Sequence, residues 1–206
     1  MKRLYLLRHG QTEFNVKKLV QGRCDSPLTD LGRKQAGMAT AWLKDHGVVP
    51  DKVVSSPLGR AMDTAQLVAC ELLGSDAALE PCEGIIERCY GTFEEGPHDA
   101  LPTDVWDPGE DLVPFGGEGS QTLQERMVGT LTNLMGAEGI ETLLAVSHGS
   151  ASRQFIKAAA PDDFELPTKL PNCAIMVFDF DDAREEDDTL QCKFTLQQIV
   201  DPQQSH

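Results

Sequence analysis

The sequence has no long hydrophobic run. No stretch of the 206 residues approaches the roughly 18 consecutive apolar residues that a membrane-spanning helix requires. Only four strongly apolar residues, 4–7, separate Arg3 from Arg8, so a signal peptide is not expected. We therefore expect a cytoplasmic protein that does not insert into a membrane. Hydrophobic residues make up 40% and charged residues 25%, which favours one globular domain across residues 1–206.

The sequence also lacks the spacings that are typical of metal sites and disulfide frameworks. Its six cysteines include no CxxC pair, and its five histidines include no HxH or HExxH motif. We expect free thiols, no bound metal and no cofactor. Two of the histidines, His46 and His98, are expected at the surface.

Positive charge is scarce. Eighteen basic residues oppose 33 acidic ones, which gives a net charge of −15. Such a chain repels nucleic-acid phosphates and anionic membrane surfaces, so neither is an expected partner. An anionic ligand would have to be held locally by a few converging cations.

The order of hydrophobic patterns predicts an α/β fold with a parallel sheet. A buried strand at residues 4–7 is followed by a polar loop at 17–26 and a helix capped by Thr29 or Asp30. The stretch 83–120 is rich in glycine and proline, and it is predicted to be an irregular insertion that covers the site. The remaining predictions are a strand at 52–55, helices at 57–74, 121–135 and 151–160, a strand at 142–147, strands near 173–180 and 190–200 around an acidic turn at 181–188, and a frayed tail at 202–206.

Three polar residues lie at or just past the ends of predicted parallel strands. His9 follows the first strand, Arg60 follows the second, and His148 follows the strand at 142–147. Ligands of doubly wound sheets bind beyond the carboxyl ends of the strands, so these side chains can converge on one crevice. Arginine and neutral imidazole together suit phosphoryl transfer, which requires positioned positive charge and a nucleophile.

The motifs around these residues resemble a known family. Residues 7–13 read LRHGQTE and are followed by Asn15, while residues 55–65 read SSPLGRAMDTA. Together with the second strand-His-Gly junction at His148 and Gly149, they resemble the histidine phosphatase superfamily, also called the phosphoglycerate mutase-like family, in its phosphatase branch. The resemblance implies a three-layer α/β/α sandwich with a mostly parallel central sheet, one antiparallel edge strand and a small cap insertion at about 88–120.

The resemblance also implies roles for individual residues. His9 is similar to the nucleophile that accepts the phosphoryl group. A general acid is implied near residues 85–94, where the family pattern is altered by a glutamate at position 95. Glu83, Glu87 and Glu94 are therefore all candidates, and the spacing to Gly91 and Phe93 favours Glu87. The other implied residues are Arg8, Arg60 and His148 in the phosphate pocket, Asn15, Gln21, Gly22 and Gly149 as substrate-binding residues, and a positioning segment at 117–120 with Arg126.

These implications define an expected function: a metal-independent phosphomonoester hydrolase that acts through a phosphohistidine on a small phosphorylated metabolite. The alternatives are a cofactor-dependent phosphoglycerate mutase and a non-catalytic phosphate-binding module. Between Arg88 and Arg126 the cap has no lysine or arginine, so we expect a substrate with one phosphate and a neutral or apolar remainder that packs on Trp106 or Phe115. A homodimer is compatible with the sequence. The acidic cap residues are Asp99, Asp104, Asp107, Glu110, Asp111 and Glu118.

Overall fold

The computed structural model describes residues 1–161, 164–182 and 193–204. Helices and strands alternate through the first part of the chain, as the sequence predicts. Four single-turn 3-10 helices lie in or next to the predicted insertion, at Glu83–Ile85, Gly91–Phe93, His98–Ala100 and Val113–Phe115. The other elements are β1 (Lys2–Arg8), α1 (Glu13–Lys17), α2 (Asp30–Asp45), β2 (Lys52–Ser55), α3 (Gly59–Leu73), β3 (Glu80–Pro81), α4 (Ser120–Met135), β4 (Thr142–Ser147), α5 (Gly149–Ala159), β5 (Ile175–Phe180) and β6 (Phe194–Val200).

Within the described residues, the strands form one six-stranded sheet in the order β3-β2-β4-β1-β5-β6. The pairs β1·β4, β2·β4 and β2·β3 are parallel. Strand β5 runs antiparallel to both β1 and β6. The mostly parallel sheet is therefore confirmed, but the predicted edge position of the antiparallel strand is wrong, because β6 pairs on the outer side of β5.

Side chains of β1 alternate between two cores. Leu4 and Leu6 face the helices α4 and α5, where they pack with residues such as Phe155. Tyr5 and Leu7 face the opposite side, towards α2 and α3. Because both faces of the strand are covered, its side chains are hydrophobic without interruption, as in other parallel sheets. The predicted three-layer α/β/α sandwich is confirmed.

Helix boundaries agree with the sequence patterns to within about two residues. Thr29 caps α2, and its hydroxyl accepts a hydrogen bond from the backbone N–H of Gly32 at 3.0 Å. Pro57 was expected in the first turn of α3, but it precedes Leu58, the N-cap of that helix. Helix α5 starts at Gly149, two residues before its predicted start.

Three further expectations need correction. The two-residue strand β3 was missed, because Glu80 and Pro81 carry no alternation of polar and apolar residues. Helix α1 was also missed, although Thr12 and Asn15 form a capping box at its start. The tail is not frayed at residues 202–204, since Pro202 is buried and the side chain of Gln203 is hydrogen bonded.

Most of the predicted acidic turn and the start of the last predicted strand, at 183–192, lie outside the described residues. No helix in the described ranges is long and apolar enough to cross a membrane. The free thiols are Cys24, Cys70, Cys82, Cys89 and Cys173, while Cys192 lies outside the described residues.

Candidate active site

The parallel strands bring the two strand-end histidines together. Strand β1 pairs with β4 so that Arg8 lies opposite Ser147, which places His9 and His148 side by side just beyond the strands. Their ring centres are 5.2 Å apart. The backbone N–H of His9 donates to the carbonyl of Ser147 at 3.0 Å. The hydrogen-bond ladder between β1 and β4 therefore continues to His9 itself.

His9 is buried and electrically neutral. Its Nδ1–H donates to the carbonyl oxygen of Gly10 at 2.7 Å, which leaves Nε2 with a free lone pair. Burial lowers the pKa of His9 well below 6.5, and the positive charges of Arg60 and Arg8 lower it further. The side chain is therefore a neutral imidazole with an available nitrogen, which is the form that can attack phosphorus.

Two buried arginines flank this imidazole. The guanidinium of Arg8 donates to the carbonyl of Leu170, and burial lowers its pKa to about 10. Arg60, in the first turn of α3, donates to the carbonyls of Cys24 at 2.8 Å and Gly22 at 2.7 Å. Backbone oxygens thus hold both side chains in place, and Arg60 also forms an ion pair with Asp25 at 3.4 Å.

His148 lies next to His9 and is fully buried. Its Nε2 is hydrogen bonded to the hydroxyl of Ser56 at 2.7 Å. Burial lowers its pKa well below 6.5, with Arg60 as the next largest cause. Ser56 follows strand β2 and His148 follows β4, so two neighbouring parallel strands position this imidazole.

Three buried nitrogens around His9 have no hydrogen-bond partner among the described residues. They are Nε of Arg8, Nε of Arg60 and Nδ1 of His148. Buried donors are nearly always paired in folded proteins, so an unpaired group of three indicates a missing acceptor. A tetrahedral oxyanion supplies several acceptor oxygens and a negative charge that matches the two guanidiniums.

The structure separates the three candidate glutamates. Glu87 lines the pocket, and its carboxylate accepts hydrogen bonds from the backbone N–H groups of Arg88, Ser150 and Ala151 at 2.8 to 3.2 Å. Glu83 is exposed outside the pocket. Glu94 instead holds the loop, accepting from the N–H of Arg23 and Tyr90 and from the thiol of Cys24.

Of the predicted substrate-binding residues, Asn15 has a clear donor geometry. Its amide oxygen accepts from the N–H of Thr12 and from the side chain of Asn172, which leaves the amide NH₂ for the pocket that Asn15 lines. Gln21 also lines the pocket, and its amide oxygen accepts from the Thr12 hydroxyl at 2.9 Å.

Two glycines line the pocket where the backbone approaches other groups closely. A Cβ on Gly22, whose φ is +52°, would lie 2.2 Å from the Glu94 carboxylate. A Cβ on Gly149 would lie 2.7 Å from the Trp106 ring and 3.3 Å from Nε of Arg8. Larger residues at either position would displace the loop or the indole.

The cap contributes Trp106 to the pocket but not Phe115. The guanidinium carbon of Arg8 lies 5.1 Å from the centre of the Trp106 ring. Phe115 is exposed and packs edge-on against Phe93, so the expectation that it contacts substrate is not supported. His98 was expected at the surface, but it is half-buried and lines the pocket, and its Nε2 is hydrogen bonded to the Leu19 carbonyl at 3.2 Å.

The acidic residues of the cap do not line the pocket. Glu118 forms a two-pronged ion pair with Arg126 at 2.9 and 3.0 Å, and Asp107 pairs with Lys157 at 2.5 Å. The same arginine donates to the carbonyl of Ile86, which supports its predicted positioning role. Glu87 is the one carboxylate in the pocket lining formed by the described residues.

Sequence reasoning missed several residues that support the site. Asp25 accepts from the backbone N–H of Gly59 at 2.6 Å and of Arg60 at 3.3 Å, and so caps α3 from a distant loop. Arg88 is fully buried and ties the cap to α5 by donating to the Ser150 hydroxyl at 2.9 Å. Neither contact has a local sequence signal, because the partners are more than 30 residues apart.

The pocket that these residues form has a volume of about 50 Å³. This volume is small, so it suits a compact group such as a phosphoryl group. Among the described residues, no group of three or more His, Cys, Asp or Glu side chains is arranged to hold a metal ion.

Comparison with known proteins decides the family. The sequence pattern of the histidine phosphatase superfamily (branch 1) matches residues 4–192. The chain belongs to this superfamily. A broad-specificity phosphatase of Saccharomyces cerevisiae is 33% identical over 158 residues, which cover 75% of this chain and 69% of the yeast protein. Among solved structures, a mutant phosphoserine phosphatase of Entamoeba histolytica in complex with phosphoserine superposes with a TM-score of 0.74 at 27% identity and covers 98% of both chains.

Other members of the histidine phosphatase superfamily carry a different activity in their names. A probable phosphoglycerate mutase of Cronobacter sakazakii is 32% identical over 191 residues, covering 87% of this chain and 86% of the mutase. The similar proteins therefore include both phosphatases and a probable mutase, and they support a phosphatase or phosphoglycerate mutase-like enzyme.

Proposed function

We propose that this histidine phosphatase superfamily member is a metal-independent phosphomonoester hydrolase, which acts through a phosphohistidine on a small phosphorylated metabolite. The observation that carries the proposal is the set of unpaired buried donors on Arg8, Arg60 and His148 around a neutral His9. A phosphoryl group bound there satisfies these donors and lies against the nucleophile.

In the first step, Nε2 of His9 attacks phosphorus and the bond from phosphorus to the ester oxygen breaks. Arg8 and Arg60 stabilise the charge on the equatorial oxygens without reorganisation, because backbone carbonyls already hold them. His148 donates from Nδ1 to a phosphoryl oxygen, since the Ser56 hydroxyl occupies its Nε2. Glu87 acts as the general acid and gives a proton to the leaving alkoxide.

In the second step, water attacks the phosphohistidine. Glu87, now a carboxylate, accepts a proton from this water, inorganic phosphate forms, and His9 returns to its neutral state. The three backbone N–H groups that hold Glu87 keep the same carboxyl group in place for both steps.

The pocket lining favours a substrate with one phosphate and a neutral or apolar remainder. Arg8 and Arg60 are the only lysine or arginine residues that line the pocket within the described residues. The phosphoryl group would occupy both of them, so no cation in the lining is left for a second anionic group. Trp106 offers an apolar surface in the pocket lining, next to Arg8.

The mutase remains the second candidate, and one feature favours it. Lys169 and Lys18 lie close enough to His98 to lower the pKa of that histidine further, after burial as the largest cause. These two lysines place positive charge near His98, which lines the pocket, and would attract the carboxylate of a phosphoglycerate. The relative named as a probable phosphoglycerate mutase points in the same direction.

Phosphate release from a panel of phosphorylated metabolites and one aryl phosphate, with and without EDTA, tests the hydrolase. We expect release that is unaffected by EDTA. Conversion of 3-phosphoglycerate to 2-phosphoglycerate, with and without 2,3-bisphosphoglycerate, tests the mutase. Efficient isomerisation with little free phosphate would overturn the hydrolase in favour of the mutase. Phosphate binding without any turnover would instead favour the non-catalytic binding module.

A further inference from the structure

A chain of side-chain amides leads from the C-terminal turn to the nucleophile. Gln203 lies in the turn that follows β6, and its Nε2 donates to the carbonyl of Asn172 at 3.3 Å. Its Oε1 accepts from Nε2 of Gln35 at 2.9 Å. The Oε1 of Gln35 in turn accepts from the backbone N–H of Gln11, also at 2.9 Å. Gln203 thus connects two segments, one at Gln11 and one at Asn172.

Asn172 connects the nucleophile with the predicted phosphate donor Asn15. Its Nδ2 donates to the backbone carbonyl of His9 at 3.1 Å and to the amide oxygen of Asn15 at 3.2 Å. Both protons of this NH₂ group are therefore used inside the site. The segment is further fixed by the next residue, Cys173, whose backbone N–H donates to the same His9 carbonyl at 3.3 Å.

The contact with Asn15 determines which end of that amide faces the pocket. Because Asn172 and the N–H of Thr12 both donate to the oxygen of Asn15, the NH₂ end is left for the pocket that Asn15 lines. A flipped amide would present oxygen to an anion, which replaces an attraction by a repulsion. The orientation is therefore important for binding phosphate and not only for folding.

We propose that Asn172 and Gln203 are positioning residues, and that the C-terminal turn, through Gln203, keeps His9 and Asn15 in the geometry that phosphoryl transfer requires. This inference rests on the proposed function, since it concerns the same site. Neither residue contacts the reacting atoms, and both act through the residues they hold.

Gln203→Met and Gln204→Met form a matched pair for the test. Methionine keeps the length of glutamine but removes all three side-chain hydrogen bonds of Gln203, to Gln35, Asn172 and Asp201. The neighbouring Gln204 is exposed, and its amide bonds Asp201 alone among these partners. We expect Gln203→Met to lower kcat/KM about tenfold, the effect of roughly one lost hydrogen bond, and Gln204→Met to leave it unchanged. Asn172→Ala should lower kcat/KM by about 100-fold, because the nucleophile is displaced.

Binding of inorganic phosphate and thermal unfolding, measured on the same variants, separate positioning from stability. Positioning predicts weaker phosphate binding by Asn172→Ala and Gln203→Met at a temperature where both are fully folded. If both variants lose only thermal stability and keep the kcat/KM and phosphate affinity of the parent, the inference is overturned. If Asn172→Ala does not fold, Gln203→Met against Gln204→Met decides the question alone.

Failure of the proposed function gives a different result. A parent protein that binds phosphate without hydrolysis would contradict the hydrolase, while the phosphate affinities of the variants would still test the positioning. A parent that neither binds phosphate nor releases it would overturn both.

Discussion

The Nδ1 atom of His9 lies 2.7 Å from the carbonyl oxygen of Gly10, and this contact decides which nitrogen can act. Because Nδ1–H donates to the backbone, the lone pair is on Nε2. Gly10 itself is confined, since a Cβ at this position would lie 2.5 Å from the carbonyl oxygen of Gly32. The turn that places the Gly10 carbonyl against Nδ1 therefore requires glycine at position 10. The backbone conformation thus determines which tautomer His9 adopts.

Replacing Glu87 by glutamine should affect substrates according to their leaving groups. Glu87→Gln cannot donate the proton that an alkyl alkoxide needs, so we expect the hydrolysis of alkyl phosphates to fall by about 10²–10⁴-fold. An activated aryl phosphate, whose phenolate leaves without help, should be slowed much less. Glu83→Gln is the control, because Glu83 is exposed outside the pocket. Equal losses on both substrates would remove Glu87 from the role of general acid.

Trp106 should influence turnover, whereas Phe115 should not. Trp106→Ala removes the ring that packs on Arg8. We expect kcat/KM for substrates with an apolar remainder to fall about tenfold, because a partly buried cation–π contact contributes roughly 1–2 kcal/mol. Phe115→Ala removes an aromatic residue from the same cap without touching the pocket. Similar kinetics for the two variants would contradict a role of Trp106 in substrate binding.

Asp25 should stabilise α3 and position Arg60 from outside the helix. Asp25→Ala removes the acceptor for two N–H groups at the helix N-terminus, and we expect the free energy of unfolding to fall by about 1–2 kcal/mol. Phosphate affinity should fall too, since Arg60 Nη1 loses a partner at 3.4 Å. Asp63→Ala is the control, an exposed aspartate of the same helix. Urea unfolding and phosphate titration measure both effects, and unchanged values for Asp25→Ala would contradict this role.

The buried histidines should make stability depend on pH. The pKa values of His9 and His148 lie well below 6.5 in the folded protein, so below pH 6.5 the unfolded chain binds more protons than the folded one. The free energy of unfolding should therefore fall as the pH falls from 6.5 towards the folded pKa values, by up to about 1.4 kcal/mol per pH unit for each histidine.

The variant His148→Gln isolates one of these two contributions. Urea unfolding of the parent and of the variant, between about pH 8 and pH 5.5, should give a shallower decline for the variant below pH 6.5 and parallel curves above it. Equal slopes throughout would show that His148 does not stay neutral in the folded protein.

The sequence predicted the parts of this molecule that depend on local patterns. The parallel core, the helices α2 and α4, and the strand ends that carry His9 and His148 follow from hydrophobic periodicity and from short motifs. The order of strands at the β5·β6 edge did not follow, because pairing between distant segments has no local signal.

The supporting residues of the site were unpredictable for a similar reason. Asp25 reaches α3 across 34 residues, and Asn172 reaches His9 across 163. Each is a polar residue in a loop, which on sequence alone is most simply a turn former. Their functions depend on which backbone groups the fold brings to them. The same holds for Phe115 and His98, since the path of the cap decides which one lines the pocket.

The most direct test of the account is to trap the covalent intermediate. The enzyme is mixed with an activated aryl phosphate, quenched within milliseconds at alkaline pH, where a phosphohistidine survives, and the site of modification is located by mass spectrometry, with His9→Ala as the control. The account predicts one phosphoryl group on His9 of the parent, and no phosphoenzyme and no turnover for a folded His9→Ala. Turnover by His9→Ala at a rate near that of the parent, or a phosphoryl group on another residue, would contradict it.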